Sequence, residues 1–300
     1  MITKLEQMFD ALANQSKKKL VAAWANDSHT ISAVSMAIDK GLIEGILVGD
    51  ESVIKQTCES EGIDINKFKI VHAATDVEAA NKSVQMVATG EGDVLMKGLL
   101  STDKYMRAIL NKEYGLLPPK GILSHVTVIE NPKYHKLLVV GDVAVIPLPD
   151  LKQKVAITNY LVHAAKSLGV ETPKVAVISA SEVVNPSMPS SADATILSKM
   201  AERGQIKGAI VDGPLALDLA VDKESAKVKK ISGEVAGDAD CLLFPNIEAG
   251  NVFYKTSTKL SDTELGAVVA GAKVPAVLSS RGDSTKTKLY SIALAALMAK

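Results

Sequence analysis

Four short segments of this 300-residue chain gather side chains suited to holding an anion. The first runs from Lys97 through Gly98 to Ser101, Thr102 and Asp103, with Arg107 one helical turn beyond. The second is Asp212-Gly213-Pro214, and the third runs from Pro245 and Asn246 through Glu248 to Gly250 and Asn251. The fourth is Ser279-Ser280-Arg281-Gly282-Asp283. Glycine lets a backbone approach a ligand closely. Hydroxyls and the N–H groups at helix starts bind phosphate oxygens. Arginine adds a two-pronged grip on the same oxygens.

Each segment also has a plain reading. Ser101 or Thr102 can be no more than the cap of a strand-to-helix loop, and Lys97 a solvated lysine. Asp-Gly-Pro is ordinary turn chemistry, and "NIEAGN" can be a glycine-closed turn. Neither GxxxxGK[ST] nor a GxGxxG after a strand occurs, which counts against nucleotide hydrolysis and Rossmann-type dinucleotide binding. Cys58 and Cys241 stand far apart without a CxxC or Cys/His pattern, so no metal is expected and reduced cytosolic thiols are. That setting disfavours an adhesion reading of Arg281-Gly282-Asp283. The five histidines form no legible array with Ser, Cys or Asp; His125 in "LSHV" is weighed as cleft-facing against a structural role.

The elements that must position these segments follow from alternating patterns. "KKLVAAWA", "IEGILVGD", "KFKIVHA" and "DVLMKG" read as strands, and helical stretches separate them. One of these helices opens with a Thr75-x-x-Glu78 capping box. The alternation resumes with strands at "KVAVISA", "GAIVDGP", "CLLFPN" and "PAVLSS". "SDTELGAVVAGAK" reads as a helix before the last strand, and a final helix starts near Thr285. Residues 114–150, rich in Pro, Gly and short β-type runs, read as the crossing between two domains. The fold class is α/β, with parallel sheets covered by helices on both faces. In such sheets ligands bind outside the carboxyl ends of strands, where all four segments fall in this reading.

Hydrophobic residues make up 47% of the chain and aromatic ones 4%, enough apolar material for a large core. Lys+Arg and Asp+Glu are both 34, so no global field attracts nucleic acid or an acidic membrane. The amphipathic amino terminus lacks the apolar core of a signal peptide, and no stretch reaches the length of a membrane span. A cytoplasmic protein is expected.

The segments "MKGLLSTDKYMRAILNKEYGLL", "LSHV", "GAIVDGPLALDLAV", "CLLFPNIEAGNVFYK" and "GAKVPAVLSSRGDSTKTKLYSIALA" resemble the phosphate acetyl/butyryltransferase family, nearer its butyryl branch. The blocks cover about the last two-thirds of the chain. The resemblance implies reversible transfer of a short acyl group, butyryl first, between coenzyme A and inorganic phosphate by direct thiol attack on acyl phosphate. It implies two three-layer α/β domains with a cleft between them, similar to isocitrate and isopropylmalate dehydrogenases. The expected division is residues 1–130 with 281–300, and 131–280. It also implies a homo-oligomer acting on small molecules, with acyl-CoA as substrate and no tightly bound cofactor.

In that reading Ser280, Arg281 and Asp283 are the catalytic candidates, and Lys97, Ser101, Thr102, Arg107, Asn246 and Asn251 bind phosphate or acyl phosphate. Two departures stand out. The acetyl branch carries a proposed base seven residues after the serine, where this chain has Thr287; Asp283 is the nearby acid. The arginine-rich segment before the fourth strand is missing from "TDVEAANKSVQMVATGEG", which leaves Lys97 to supply charge from that side. The alternatives are an acetyl-specific enzyme, a decarboxylating dehydrogenase on the same scaffold, and a non-catalytic acyl-CoA or phosphate-ester binding protein.

Overall fold

The computed structural model of the chain describes residues 1–278 and 284–300. Within it the chain forms two compact units, one of residues 6–123 and 266–300, the other of residues 1–5 and 124–265. The strand at "SHVTVIE" belongs to the unit of residues 124–265, and the hairpin before the last helix to the unit of residues 6–123 and 266–300.

The first unit begins with α1 (Gln7–Ala13), β1 (Lys18–Ala23), α2 (Ser28–Asp39), β2 (Ile43–Gly49), α3 (Glu51–Ser60), β3 (Phe68–His72), α4 (Asp76–Ala88), β4 (Val94–Lys97) and α5 (Thr102–Ile109). Its helix starts are written locally. Asp27, Asp50, Thr75 and Ser101 each accept an N–H of the first helical turn, a contribution of about 1 kcal/mol apiece. The Thr75 box is only half formed, because the Glu78 carboxylate accepts from Ala74 N–H, not from Thr75.

The second unit holds β5 (Ser124–Glu130), β6 (Leu138–Gly141), α6 (Leu151–Ser167), β7 (Lys174–Ile178), α7 (Pro189–Glu202), β8 (Ile210–Leu215), α8 (Leu217–Val221), α9 (Lys223–Val228), β9 (Cys241–Leu243) and α10 (Ile247–Leu260). Its strands lie in the order β5-β6-β9-β7-β8. The pairings β6–β9, β9–β7 and β7–β8 are parallel, and β5–β6 is antiparallel. The chain then returns through β10 (Glu264–Ala270), β11 (Ala276–Val277) and α11 (Thr285–Met298).

In the first unit the strand order is β3-β2-β1-β4-β11-β10. The reversal of direction across β1 and β4 makes a switch point at their carboxyl ends, the expected ligand-binding position of an open α/β sheet. Leu20–Ala23 of β1 and all of β4 are buried, as parallel strands covered on both faces must be. Helix α11 is buried nearly all round, and Tyr290 stacks on Phe9 of α1 at 5.6 Å.

Three readings are corrected. "SDTELGAVVAGAK" holds a strand, β10, antiparallel to β11. Its β-branched pair Val268-Val269 suits a strand, and Gly266 lets the α11 backbone approach to 2.8 Å of where a Cβ would stand. "NIEAGN" is no turn: Asn246 caps the 14-residue helix α10. Asp212-Gly213-Pro214 lies inside β8 instead of beyond its end.

Candidate active site

In the first unit the loop after β4 is fastened to the end of β1. Gly98 N–H donates to Ala23 O at 2.9 Å and Leu99 N–H to Trp24 O at 2.9 Å. Only glycine allows this approach, since a Cβ on Gly98 would stand 2.4 Å from the Trp24 oxygen. Trp24 itself leaves β1 at φ 57°, a left-handed turn that a non-glycine residue adopts at some cost. Two switch-point strands are thereby tied together at the end where a ligand is expected.

Lys97, the last residue of β4, is buried. Its ammonium donates to Gly98 O at 3.2 Å and to Leu100 O at 2.9 Å, so the cation folds the loop over itself. Ser101 caps α5 by accepting Lys104 N–H at 3.2 Å. Thr102 opens that helix and is exposed. The loop therefore presents a helix start, two hydroxyls and a buried cation, a set that stabilises anionic oxygens. Arg107 lies further along α5, with its side chain 79% exposed and paired with Asp103 at 3.0 Å. Beside β4, β11 runs parallel with Val277 opposite Met96. Tyr105 Oη lies 3.3 Å from both Leu95 O and Val277 O and shares its one proton between the two strands.

Ser280, Arg281 and Asp283 lie outside the described residues. Past them Ser284 caps α11, accepting Thr287 N–H at 3.0 Å, and the Thr287 hydroxyl sits 3.0 Å from the Ser284 hydroxyl. Thr287, at the acetyl branch's base position, thus serves the helix start.

In the second unit, Asn246 accepts Ala249 N–H at 2.9 Å and Asn251 donates to Val143 O at 3.1 Å. Both amides hold α10 in place. They stand beside a residue that the sequence reading passed over, Asp142, whose side chain is buried at 2% exposure. One of its oxygens accepts from Ala144 and Val145 N–H. The other accepts from Ser124 Oγ and from His125 and Ile146 N–H. The helix α10 packs against this knot through Gly250, where a Cβ would fall 2.3 Å from Asp142 O. The signal was present: β6 and β2 each end in Val-Gly with an Asp directly after, and Asp50 after β2 also accepts from backbone N–H groups. His125 is buried, with Nδ1 3.1 Å from Thr127 Oγ1.

A cavity of ≈ 710 Å³ in this unit is lined by Thr195, Ser198, Lys199, Asp212 and Gly213 among others. Another of ≈ 490 Å³ in the first unit opens among Lys17, Lys19, Glu44, Lys67 and Lys69, at the amino ends of the strands. Neither is lined by the β4 loop or by α11.

The loop after β4, at the switch point of a doubly wound sheet, carries a buried cation and a capped helix start, a set suited to an anionic group. The family described as Phosphate acetyl/butaryl transferase matches residues 4–82 and 73–296, and the chain belongs to it. The phosphate butyryltransferase of Clostridium acetobutylicum is 47% identical over 299 residues, covering 100% of this chain and 99% of that one. The phosphate acetyltransferase of Thermotoga maritima is 43% identical, covering 98% and 99%. A crystal structure of a branched-chain phosphotransacylase from Enterococcus faecalis superimposes with a TM-score of 0.82 at 32% identity, covering 94% of this chain and 98% of that one. The chain is accordingly an acyltransferase of two α/β units.

Proposed function

We propose that this chain transfers a butyryl or similarly short acyl group between coenzyme A and inorganic phosphate, in the cytoplasm and as a homo-oligomer. The observation that carries the reading is full-length similarity at 47% identity to a phosphate butyryltransferase, joined to an anion-suited loop at the switch point. The CoA thiolate attacks the acyl-phosphate carbonyl, and phosphate leaves carrying the electron pair. Ser280 and Arg281 act on the carbonyl oxygen and the phosphoryl group, with Ser101 and Thr102 donating from the start of α5. Asp283, three residues after Ser280 in the sequence, is the nearby acid and the candidate to take the thiol proton. Lys97 holds the loop and adds positive potential. Arg107, Asn246 and Asn251 each have structural bonds, and the proposal does not rest on them. The 43% identity to a phosphate acetyltransferase favours acetyl-CoA as the second reading.

The test is CoA release from acetyl-, propionyl-, butyryl- and isobutyryl-CoA, with and without phosphate, for the parent and for Arg281→Ala. The expected result is phosphate-dependent release, fastest with butyryl-CoA and largely lost in the variant. CoA binding without release from any of the four would move the chain to a binding role.

A further inference from the structure

Four lysines are buried among the described residues: Lys97, Lys136, Lys154 and Lys288. Three have evident partners. Lys97 meets two carbonyls, Lys136 pairs with Asp240 at 2.7 Å, and Lys154 with Asp193 at 2.5 Å. Lys288 is 5% exposed, and its ammonium has no hydrogen bond or ion pair with the described residues. A buried ammonium without a counter-charge is unfavourable. Nor is the nitrogen sealed in. Ser83 Oγ is the one fully covered, unpartnered side-chain polar atom among the described residues. The Lys288 stem is therefore buried while its tip stays reachable.

Its place in the helix says what reaches it. Lys288 lies one turn into α11, its own N–H bonded to Ser284 O. The first turn of α11 contains no acid. Helical side chains lean toward the helix start, which carries positive potential of its own. One turn further on, Ser291 Oγ accepts Ala267 N–H at 2.9 Å, so this side of α11 rests on β10, beside β11. β11 ends at Val277, opposite Met96, the residue before Lys97. The lean of helical side chains directs the Lys288 stem toward the start of α11, the helix that follows β11 in the chain.

We propose that Lys288 is a phosphate-binding residue: its ammonium, beside the start of α11, holds the phosphate dianion that accepts or donates the acyl group. This rests on the acyltransferase reading and deepens it. In this chain a cation adjoins the position where the acetyl branch has an acid, and the bound dianion supplies its missing counter-charge.

The experiment compares Lys288→Met and Lys288→Arg with the parent. Lys288→Met should raise the KM for phosphate about tenfold or more, the loss of one charge-assisted contact, and leave the KM for butyryl-CoA within about twofold. Lys288→Arg should recover most of the phosphate affinity. Inorganic phosphate should raise the Tm of the parent and not that of Lys288→Met. An unchanged phosphate KM, or a rise confined to the acyl-CoA KM, overturns the assignment; the latter would place CoA's own phosphates there. Should Lys288→Met not fold, lysine acetylation of the parent by acetic anhydride, mapped by mass spectrometry, decides. Phosphate must protect Lys288, and absence of protection rejects the proposal. A parent that shows phosphate protection without acyl transfer would sink the enzymatic reading and leave the phosphate site standing.

Discussion

Asp142→Asn isolates one buried carboxylate from everything around it. The wild-type group accepts five hydrogen bonds, two on one oxygen and three on the other, four of them from backbone N–H groups. An amide keeps the size but turns one acceptor into a donor. If the NH₂ takes the position facing Ala144 and Val145, those two N–H groups lose their acceptor. If it faces the other way, Ser124 can rotate its hydroxyl to accept, and the N–H groups of His125 and Ile146 are orphaned. Either orientation leaves two buried N–H groups unsatisfied, each costing roughly 1–3 kcal/mol. The expected destabilisation is about 4 kcal/mol, a large part of the 5–15 kcal/mol typical of a domain. Urea unfolding followed by circular dichroism measures it, and an unchanged m-value would confirm that the native state is what changed. A shift smaller than about 1 kcal/mol at constant m would show that the carboxylate does not organise the loop, and the reasoning would be wrong.

Gly98→Ala places a methyl 2.4 Å from Trp24 O and 2.8 Å from Ala23 O. Overpacking against backbone should cost about 1–3 kcal/mol, and phosphate-dependent CoA release should fall with it; parental urea stability in the variant would refute the close approach. Asp238 loses solvent on burial, which raises its pKa. The Lys174 hydrogen bond, the Lys136 charge and the His135 hydrogen bond overcome this and hold it at about 2, against 3.8 ordinarily. Its folded pKa is depressed, so the stability it contributes is complete above pH 4 and disappears as pH falls toward 2. The upper bound is about 2 kcal/mol, and Asp238→Asn should remove that share of the acid dependence in urea titrations between those pH values. Burial raises the pKa of both Cys58 and Cys241, so a thiol reagent should label neither in the native protein at pH 8 and both in urea; fast native labelling would contradict the packing.

The sequence by itself determined what local chemistry controls. Thr75, Ser101 and Ser284 bond to amides three residues away, and a helix start of that kind is legible wherever it occurs. The alternation of buried strands and amphipathic helices announced the α/β class, and the four anion-suited segments were visible as residue types. Tertiary structure decided whatever depends on distant partners. "ELGAVVA" became a strand because β11 lay ready to pair with it and Gly266 admitted α11. Asp142 draws one donor from Ser124, on another strand. Gly250 reads as a turn residue until Asp142 O is seen against the helix that carries it. Lys97 stands out in the sequence by its place in an anion-suited segment, but its burial, like that of Lys288, is a property of the elements that close over the side chain. Those elements come from opposite ends of the chain, and no window of neighbouring residues contains them.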